Sequence, residues 1–139
     1  MRRAHPLRAL ILAAGASRRL GRAKALIKVD GTPVVRMLGE RLQNIGIEPV
    51  IVTRQELMFD IAQTCQESTV VVNPTPELGR TGTIRCGILH LKSQRGGERP
   101  FRLLIVPVDR PGFSMDTLRL ISEQNQCSVP AMDGRGGHP

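Results

Sequence analysis

The sequence predicts an α/β protein in which helices cover both faces of a mostly parallel β-sheet. Short aliphatic runs, beginning with LRALILAA at residues 7–14, recur along the chain, and segments with helical spacing of their apolar residues come between them. A continuous aliphatic run is typical of a strand buried on both faces, and strand–helix alternation is typical of βαβ units. The 139 residues have the length of one domain.

The first half of the chain supplies two predicted helices and two further strands. Residues 33–46 place aliphatic side chains at helical spacing and stop at a glycine, which predicts a helix. A strand is expected over residues 48–54, and QELMFDIAQTC predicts a second helix over 55–65. STVVVNP predicts a strand over 68–74 that ends at a proline.

The second half continues the alternation. GTIRCGILHLKS predicts a helix over residues 82–93, and FRLLIVPVD predicts a strand over 101–109. SMDTLRLISEQN predicts a helix over 114–125, with Ser114 as its N-cap. A last strand-like piece is expected at residues 127–134.

Three unusual segments follow predicted strands. They are the glycine loop within residues 12–26, the segment NPTPELGRTGT at 73–83, and VPVDRPGF at 106–113. Ligands of open α/β sheets bind outside the carboxyl ends of the strands. We therefore expect these three segments to meet in one site.

The glycine loop, LAAGASRRLGRAKAL, combines Gly15 and Gly21 with four cationic residues and has no carboxylate. Its spacing fits neither the P-loop, G-x-x-x-x-G-K-[ST], nor the dinucleotide fingerprint, G-x-G-x-x-G. Glycines allow the backbone N–H groups to approach a ligand, and arginine and lysine favour phosphate. The loop predicts a triphosphate site; a tight turn with arginines at the surface is the alternative.

The amino-acid composition argues against several classes of function. The net charge is +8, and seven of the 20 basic residues lie in the first 24 positions. With three Phe, no Tyr and no Trp, the chain has few aromatic side chains on which bases could stack, so nucleic-acid binding ranks last. Three separated cysteines without a C-x-x-C pair argue against a disulfide framework or a zinc site. We expect a cytoplasmic protein with no leader and no membrane segment.

The segment LAAGASRRLGRAKALIKVDGTPVV resembles the signature LAAGxSxRMGxxKxLLxxxGxPLL of nucleotidyltransferases that make molybdenum cofactor dinucleotides. It is closer to the cytidylyltransferase-like branch than to molybdopterin-guanine dinucleotide synthases. Three later segments, VVNPTPELGRTGTIRCGI, LLIVPVDRPGFSMDTLRLI and VPAMDGRGGHP, are similar to family motifs in the same order. The resemblance implies a three-layer, Rossmann-like doubly wound sheet of the nucleotide-diphospho-sugar transferase type.

The resemblance also implies a role for individual residues. Arg19 and Lys24 would hold the phosphates and act as the catalytic cations. The remaining nucleotide-binding residues would be Leu12, Ala13, Ala14, Gly15, Asn73, Gly82 and Thr83. Asp109 would bind Mg²⁺, and His138 would lie on the side of the second substrate.

The resemblance implies a function as well. The enzyme would transfer a nucleoside monophosphate from a nucleoside triphosphate, with CTP favoured over GTP, to a phosphorylated pterin cofactor and release pyrophosphate. A molybdoenzyme is the expected protein partner. Members of the family run further than residue 139, so we expect residues 1–139 to be a single nucleotidyltransferase domain without its C-terminal part, incomplete at the end of the sheet. The alternative is a truncated, catalytically inactive nucleotide-binding remnant or regulatory domain.

Overall fold

A computed structural model describes residues 6–15, 23–94 and 100–108, together with the backbone of 131–132 and 135–136. In chain order its elements are β1 (Leu7–Ala13), β2 (Lys28–Val29), β3 (Thr32–Pro33), α1 (Val34–Asn44), β4 (Pro49–Thr53), α2 (Gln55–Thr64), β5 (Thr69–Val72), α3 (Arg80–Ser93), β6 (Arg102–Pro107), β7 (Ala131–Met132) and β8 (Arg135–Gly136). Short 3-10 turns precede β2 and α3 at Lys24–Leu26 and Pro76–Leu78.

The central sheet contains four parallel strands in the order β5-β4-β1-β6. The first strand lies in the middle because its residues are aliphatic on both faces, and Ala9, Leu10 and Ile11 are fully buried. The chain adds β4 and then β5 on one side of β1, and it crosses to the other side for β6. The strand order therefore reverses between β1 and β6, which is where ligands bind in sheets of this kind.

Helices cover both faces of the sheet, as the sequence predicts. On one face, Val35 and Leu38 of α1 and Ile61 of α2 pack against Ile11 and its neighbours. On the other face, Ile84 and Leu91 of α3 pack against Leu10 and Val52. Among the described residues, no helix combines the length and apolar character that crossing a bilayer requires.

The predicted boundaries differ from the observed ones by a few residues. The third helix begins at Arg80, two residues earlier than predicted, because Gly79 adopts φ +105° and turns the chain into the helix there. β5 ends at Val72, and β6 ends at Pro107. The predicted helix at 114–125 lies outside the described residues, and of the predicted last strand only Ala131–Met132 is described, paired with Arg135–Gly136.

A small hairpin of β2 and β3 was not predicted. Asp30 and Gly31 connect the two strands with φ of 53° and 83°. Positive φ at both central residues is the geometry of a tight hairpin turn, and Asp-Gly is a preferred pair for it. The hairpin leads the chain from the glycine loop directly into α1, since the Val34 N–H donates to the Ile27 carbonyl at 2.9 Å.

Candidate functional site

A cavity of about 310 Å³ lies at the carboxyl edge of the sheet, where β1 and β6 end. Residues 12–15 at the end of β1 and Pro107 and Val108 at the end of β6 form its floor. Residues 23–25 form one wall, and the opposite wall consists of Pro76, Gly79, Arg80 and Thr83 around the start of α3. The three segments that the sequence analysis expected to meet therefore contribute to one cavity.

The described lining of this cavity is positively charged. Lys24 and Arg80 line it, and none of the described lining residues carries a carboxylate. The remaining described lining is small or apolar, mostly alanine, glycine and proline, so that backbone groups are close to the cavity. An anion is the ligand that such a lining favours.

The end of β1 is held by neighbours on both sides. The Val108 N–H donates to the Leu12 carbonyl at 3.2 Å, on the side of β6. On the side of β4, the Thr53 hydroxyl donates to the Ala13 carbonyl at 2.9 Å. Thr53 is fully buried, so this hydrogen bond compensates two groups that water does not reach.

The start of α3 is held by a buried asparagine. The side-chain amide of Asn73 donates to the Thr83 hydroxyl at 3.0 Å, and the Asn73 side-chain carbonyl accepts from the Thr75 N–H at 3.0 Å. Asn73 and Thr83 are 1% and 4% exposed. Thr83 is therefore fixed at the wall of the cavity by a residue that follows β5.

Six of the eight predicted site residues that the structure describes line this cavity: Leu12, Ala13, Ala14, Gly15, Lys24 and Thr83. The other two lie behind the wall. Asn73 contacts Thr83, and a Cβ at Gly82 would stand 3.8 Å from the Asn73 side-chain nitrogen. The predicted residues Arg19, Asp109 and His138 lie outside the described residues.

Sequence reasoning missed three residues of this region. Arg80 lines the cavity, whereas the sequence analysis only placed it within the segment 73–83 and assigned it no role. Gly79, with its φ of +105°, starts the helix and so places Arg80 there. Thr53 holds the Ala13 carbonyl, and its signal was a single polar residue at the carboxyl end of the aliphatic run PVIVT.

A second cavity of about 310 Å³ has a different charge. It lies between α1 and the end of α2 and is lined by Arg36, Glu40, Glu67 and mostly uncharged polar groups. Arg36 and Glu40 form an ion pair at 3.0 Å, which leaves the Glu67 carboxylate as the remaining charge of its described lining. Cys65 also lines this cavity, and burial raises the pKa of its thiol from 9.0 to about 11. This cavity suits a phosphate ligand poorly.

Comparison with solved structures supports the fold. Rv0371c from Mycobacterium tuberculosis H37Rv superposes with a TM-score of 0.66 at 20% identity, over 86% of this chain and 59% of that one. A CTP:phosphocholine cytidylyltransferase from Streptococcus pneumoniae superposes with a TM-score of 0.58 at 20% identity, over 80% and 50%. The fold is the Rossmann-like fold of nucleotide-diphospho-sugar transferases, as the resemblance of the sequence motifs implied.

Comparison of sequences identifies the family. A probable molybdenum cofactor guanylyltransferase from Natranaerobius thermophilus is 31% identical over 99 residues, which are 67% of this chain and 47% of that protein. The chain thus spans about half the length of this curated relative. The MobA-like NTP transferase domain family matches residues 9–139, nearly the whole sequence. The chain therefore belongs to the MobA-like NTP transferase domain family.

Proposed function

We propose that this protein transfers a nucleoside monophosphate from a nucleoside triphosphate to a phosphorylated molybdopterin-type acceptor. The observation that carries the proposal is the cavity between β1 and β6, with Lys24 and Arg80 at its walls and no carboxylate in its described lining. The acceptor phosphate attacks the α-phosphate of the triphosphate, a new P–O bond forms, and the bond to pyrophosphate breaks. Family membership supports this class of reaction.

The residues of the chain act on the triphosphate by position and charge. The backbone of residues 12–15 approaches the ligand closely, because Gly15 has no side chain and Ala13 and Ala14 have small ones. Lys24 stabilises the negative charge that develops on the departing pyrophosphate. Arg19, which precedes Lys24 in the glycine loop, adds a second cation in this proposal. Asn73 and Gly82 act behind Thr83, and His138 contacts the acceptor.

Magnesium is part of the proposal. In the described ranges no group of three His, Cys, Asp or Glu residues could hold a metal ion. The proposed ligand is Asp109, which follows the lining residue Val108 in the chain. The Asp109 carboxylate would hold Mg²⁺ beside the triphosphate, and the bound ion would neutralise part of the phosphate charge.

The identity of the nucleotide is decided by experiment. The resemblance of the glycine loop to the cytidylyltransferase-like branch favours CTP, whereas the relative from Natranaerobius thermophilus is named a guanylyltransferase. Calorimetric titration of the protein with CTP, GTP and ATP, with and without Mg²⁺, measures which one binds. We expect CTP to bind most tightly and Mg²⁺ to strengthen its binding.

Two variants complete this test. Asp109→Asn removes the proposed metal ligand and is expected to abolish the effect of Mg²⁺ on binding. Asp60→Asn, an exposed carboxylate on α2, is the matched control and should behave like the wild type. No binding of any triphosphate to the wild type would contradict the proposal. Binding without transfer to the acceptor would support a nucleotide-binding domain that is not an enzyme.

A further inference from the structure

A series of buried hydrogen bonds runs behind the cavity and joins its floor, at Ala13, to the wall that contains Thr83. The Thr53 hydroxyl donates to the Ala13 carbonyl at 2.9 Å, and the Asn73 N–H donates to the Thr53 carbonyl at 2.7 Å. The Asn73 side-chain amide then donates to Thr83 at 3.0 Å. Thr53, Asn73 and Thr83 are at most 4% exposed. These hydrogen bonds therefore connect β1, through the ends of β4 and β5, to α3.

The first hydrogen bond orients a peptide group at the end of β1. Ala13 pairs with Thr53, the last residue of β4, so that strand has no further backbone N–H in register to donate to the Ala13 carbonyl. The Thr53 hydroxyl takes its place. A carbonyl only accepts hydrogen bonds, so the hydroxyl is the donor. The Ala13 carbonyl is thus held towards β4.

The orientation of that carbonyl determines where the next N–H points. The described peptide bonds are not cis, so the Ala14 N–H is directed opposite to the Ala13 carbonyl. It is directed to the β6 side, where Pro107 and Val108 also line the cavity. Among the described residues no carbonyl accepts from this N–H, although Ala14 is 4% exposed. Buried N–H groups are normally hydrogen-bonded, and an oxygen atom of a ligand in the cavity can accept from this one.

At the other end of this series of hydrogen bonds, Asn73 orients the Thr83 hydroxyl. The Thr75 N–H donates to the Asn73 side-chain oxygen, so the nitrogen of that amide faces Thr83 and donates to it. Thr83 accepts this hydrogen bond, and its side chain forms no other hydrogen bond with the described residues. Its hydroxyl hydrogen is thus available to an acceptor atom in the cavity that Thr83 lines.

We propose that Thr53 is a positioning residue for the nucleotide. It turns the Ala14 N–H into the cavity, and through Asn73 it belongs to the same series of hydrogen bonds that presents the Thr83 hydroxyl as a donor. The site thereby offers two uncharged donors, fixed relative to each other, to oxygen atoms of one ligand. This inference rests on the proposed function, because it assigns these donors to the nucleoside triphosphate.

The test compares two substitutions at Thr53 with one elsewhere. Thr53→Val keeps the shape and removes the hydroxyl; Thr53→Ser keeps the hydroxyl. Thr69→Val makes the same chemical change at the start of β5, at the other edge of the sheet. We expect Thr53→Val to raise the Kd for the triphosphate about tenfold, the effect of one lost hydrogen bond. Thr53→Ser and Thr69→Val should bind like the wild type.

An amide readout separates positioning from a general structural role. In the wild type, the Ala14 and Lys24 amide resonances should both shift when the triphosphate is added. In Thr53→Val the shift at Ala14 should be lost and that at Lys24 retained. A wild-type Ala14 amide that does not respond while Lys24 does would overturn the proposal, whether or not the valine variant folds.

The outcomes also distinguish this inference from the proposed function. Failure of the wild type to bind CTP, GTP or ATP would overturn the proposed function itself. Binding to the wild type with an unchanged Kd in Thr53→Val would overturn the positioning role alone. Thr83→Val is the second variant, and it is expected to weaken binding about tenfold because it removes the other donor. Wild-type affinity in Thr83→Val would contradict the assignment of the Thr83 hydroxyl as a donor to the nucleotide.

Discussion

Gly87 of α3 lies so close to Leu10 of β1 that a Cβ at position 87 would stand 2.6 Å from one methyl carbon of Leu10 and 2.7 Å from the other. Val52 of β4 lies 3.0 Å from the same point. The helix therefore rests directly on the two central strands. This contact fixes the distance between the end of β1 and the start of α3, where Arg80 and Thr83 lie.

Gly87→Ala is expected to destabilise the fold. The added methyl group must displace Leu10 or lift the helix from the sheet, and overpacking of this kind costs about 1–3 kcal/mol. Gly39→Ala is the control, since a Cβ there meets its nearest neighbour, Pro49, at 4.0 Å. Alanine at this helical position should stabilise by about 0.5–1 kcal/mol. Chemical denaturation measures both, and equal effects of the two substitutions would contradict the close contact.

Asn73→Ala is expected to lower the free energy of unfolding by about 2–3 kcal/mol, because it leaves the Thr75 N–H and the Thr83 hydroxyl without their partner. The same substitution at the exposed Asn44, at the end of α1, should change stability by less than about 0.5 kcal/mol. Urea titration of the two variants measures the difference. A similar small effect at both positions would mean that water replaces the contacts of Asn73.

Lys24→Met is expected to raise the Kd for a nucleoside triphosphate about 10- to 100-fold, the effect of losing one charge-assisted hydrogen bond. Lys28→Met removes the same charge from the exposed strand β2, outside the cavity lining, and should have little effect. Titration at two salt concentrations provides a second comparison, because binding to the Lys24 variant should depend less on salt. Equal losses in the two variants would indicate that only net charge matters.

The buried thiol of Cys65 is expected to lower the stability of the fold at high pH. Burial raises the pKa of its thiol from 9.0 to about 11 in the folded chain, with smaller contributions from Arg36 and Glu40. The neutral thiol is favoured by folding, so its contribution to stability is complete below pH 9 and is lost as the pH rises through 11.

The unfolding free energy of the wild type minus that of Cys65→Ala measures this contribution. The difference should be smaller at pH 11 than at pH 8. The other titrating groups are present in both proteins, so their contributions cancel in the difference. A difference that stays constant or grows would show that the thiol ionises as easily in the folded chain as in the unfolded one.

Much of the fold could be predicted from the sequence because local pattern and burial agree. LRALILAA is aliphatic on both faces, and a strand of that kind has to lie in the middle of a sheet, as β1 does. The order of the other strands does not follow from alternation alone. It depends on the crossing of the chain from β5 through α3 to β6, a long-range arrangement that no short pattern contains.

The candidate site could be predicted in part for the same reason. Glycine and lysine in the loop after β1 are local signals, and Gly15 and Lys24 line the cavity. Arg80 and Thr53 could not be recognised in that way. Arg80 reaches the cavity because the backbone conformation of Gly79 starts α3 early, and Thr53 acts through the backbone of a strand forty residues away.

The proposed function requires that a nucleoside triphosphate binds in the cavity between β1 and β6. Two-dimensional amide NMR of the 15.3 kDa chain, titrated with CTP and then with GTP in the presence of Mg²⁺, tests it most directly. We expect the amide resonances of Ala14, Gly15, Lys24, Arg80 and Thr83 to shift together and to saturate with one Kd. Shifts confined to residues of the other cavity, around Arg36 and Glu67, or no shifts with either nucleotide, would contradict it.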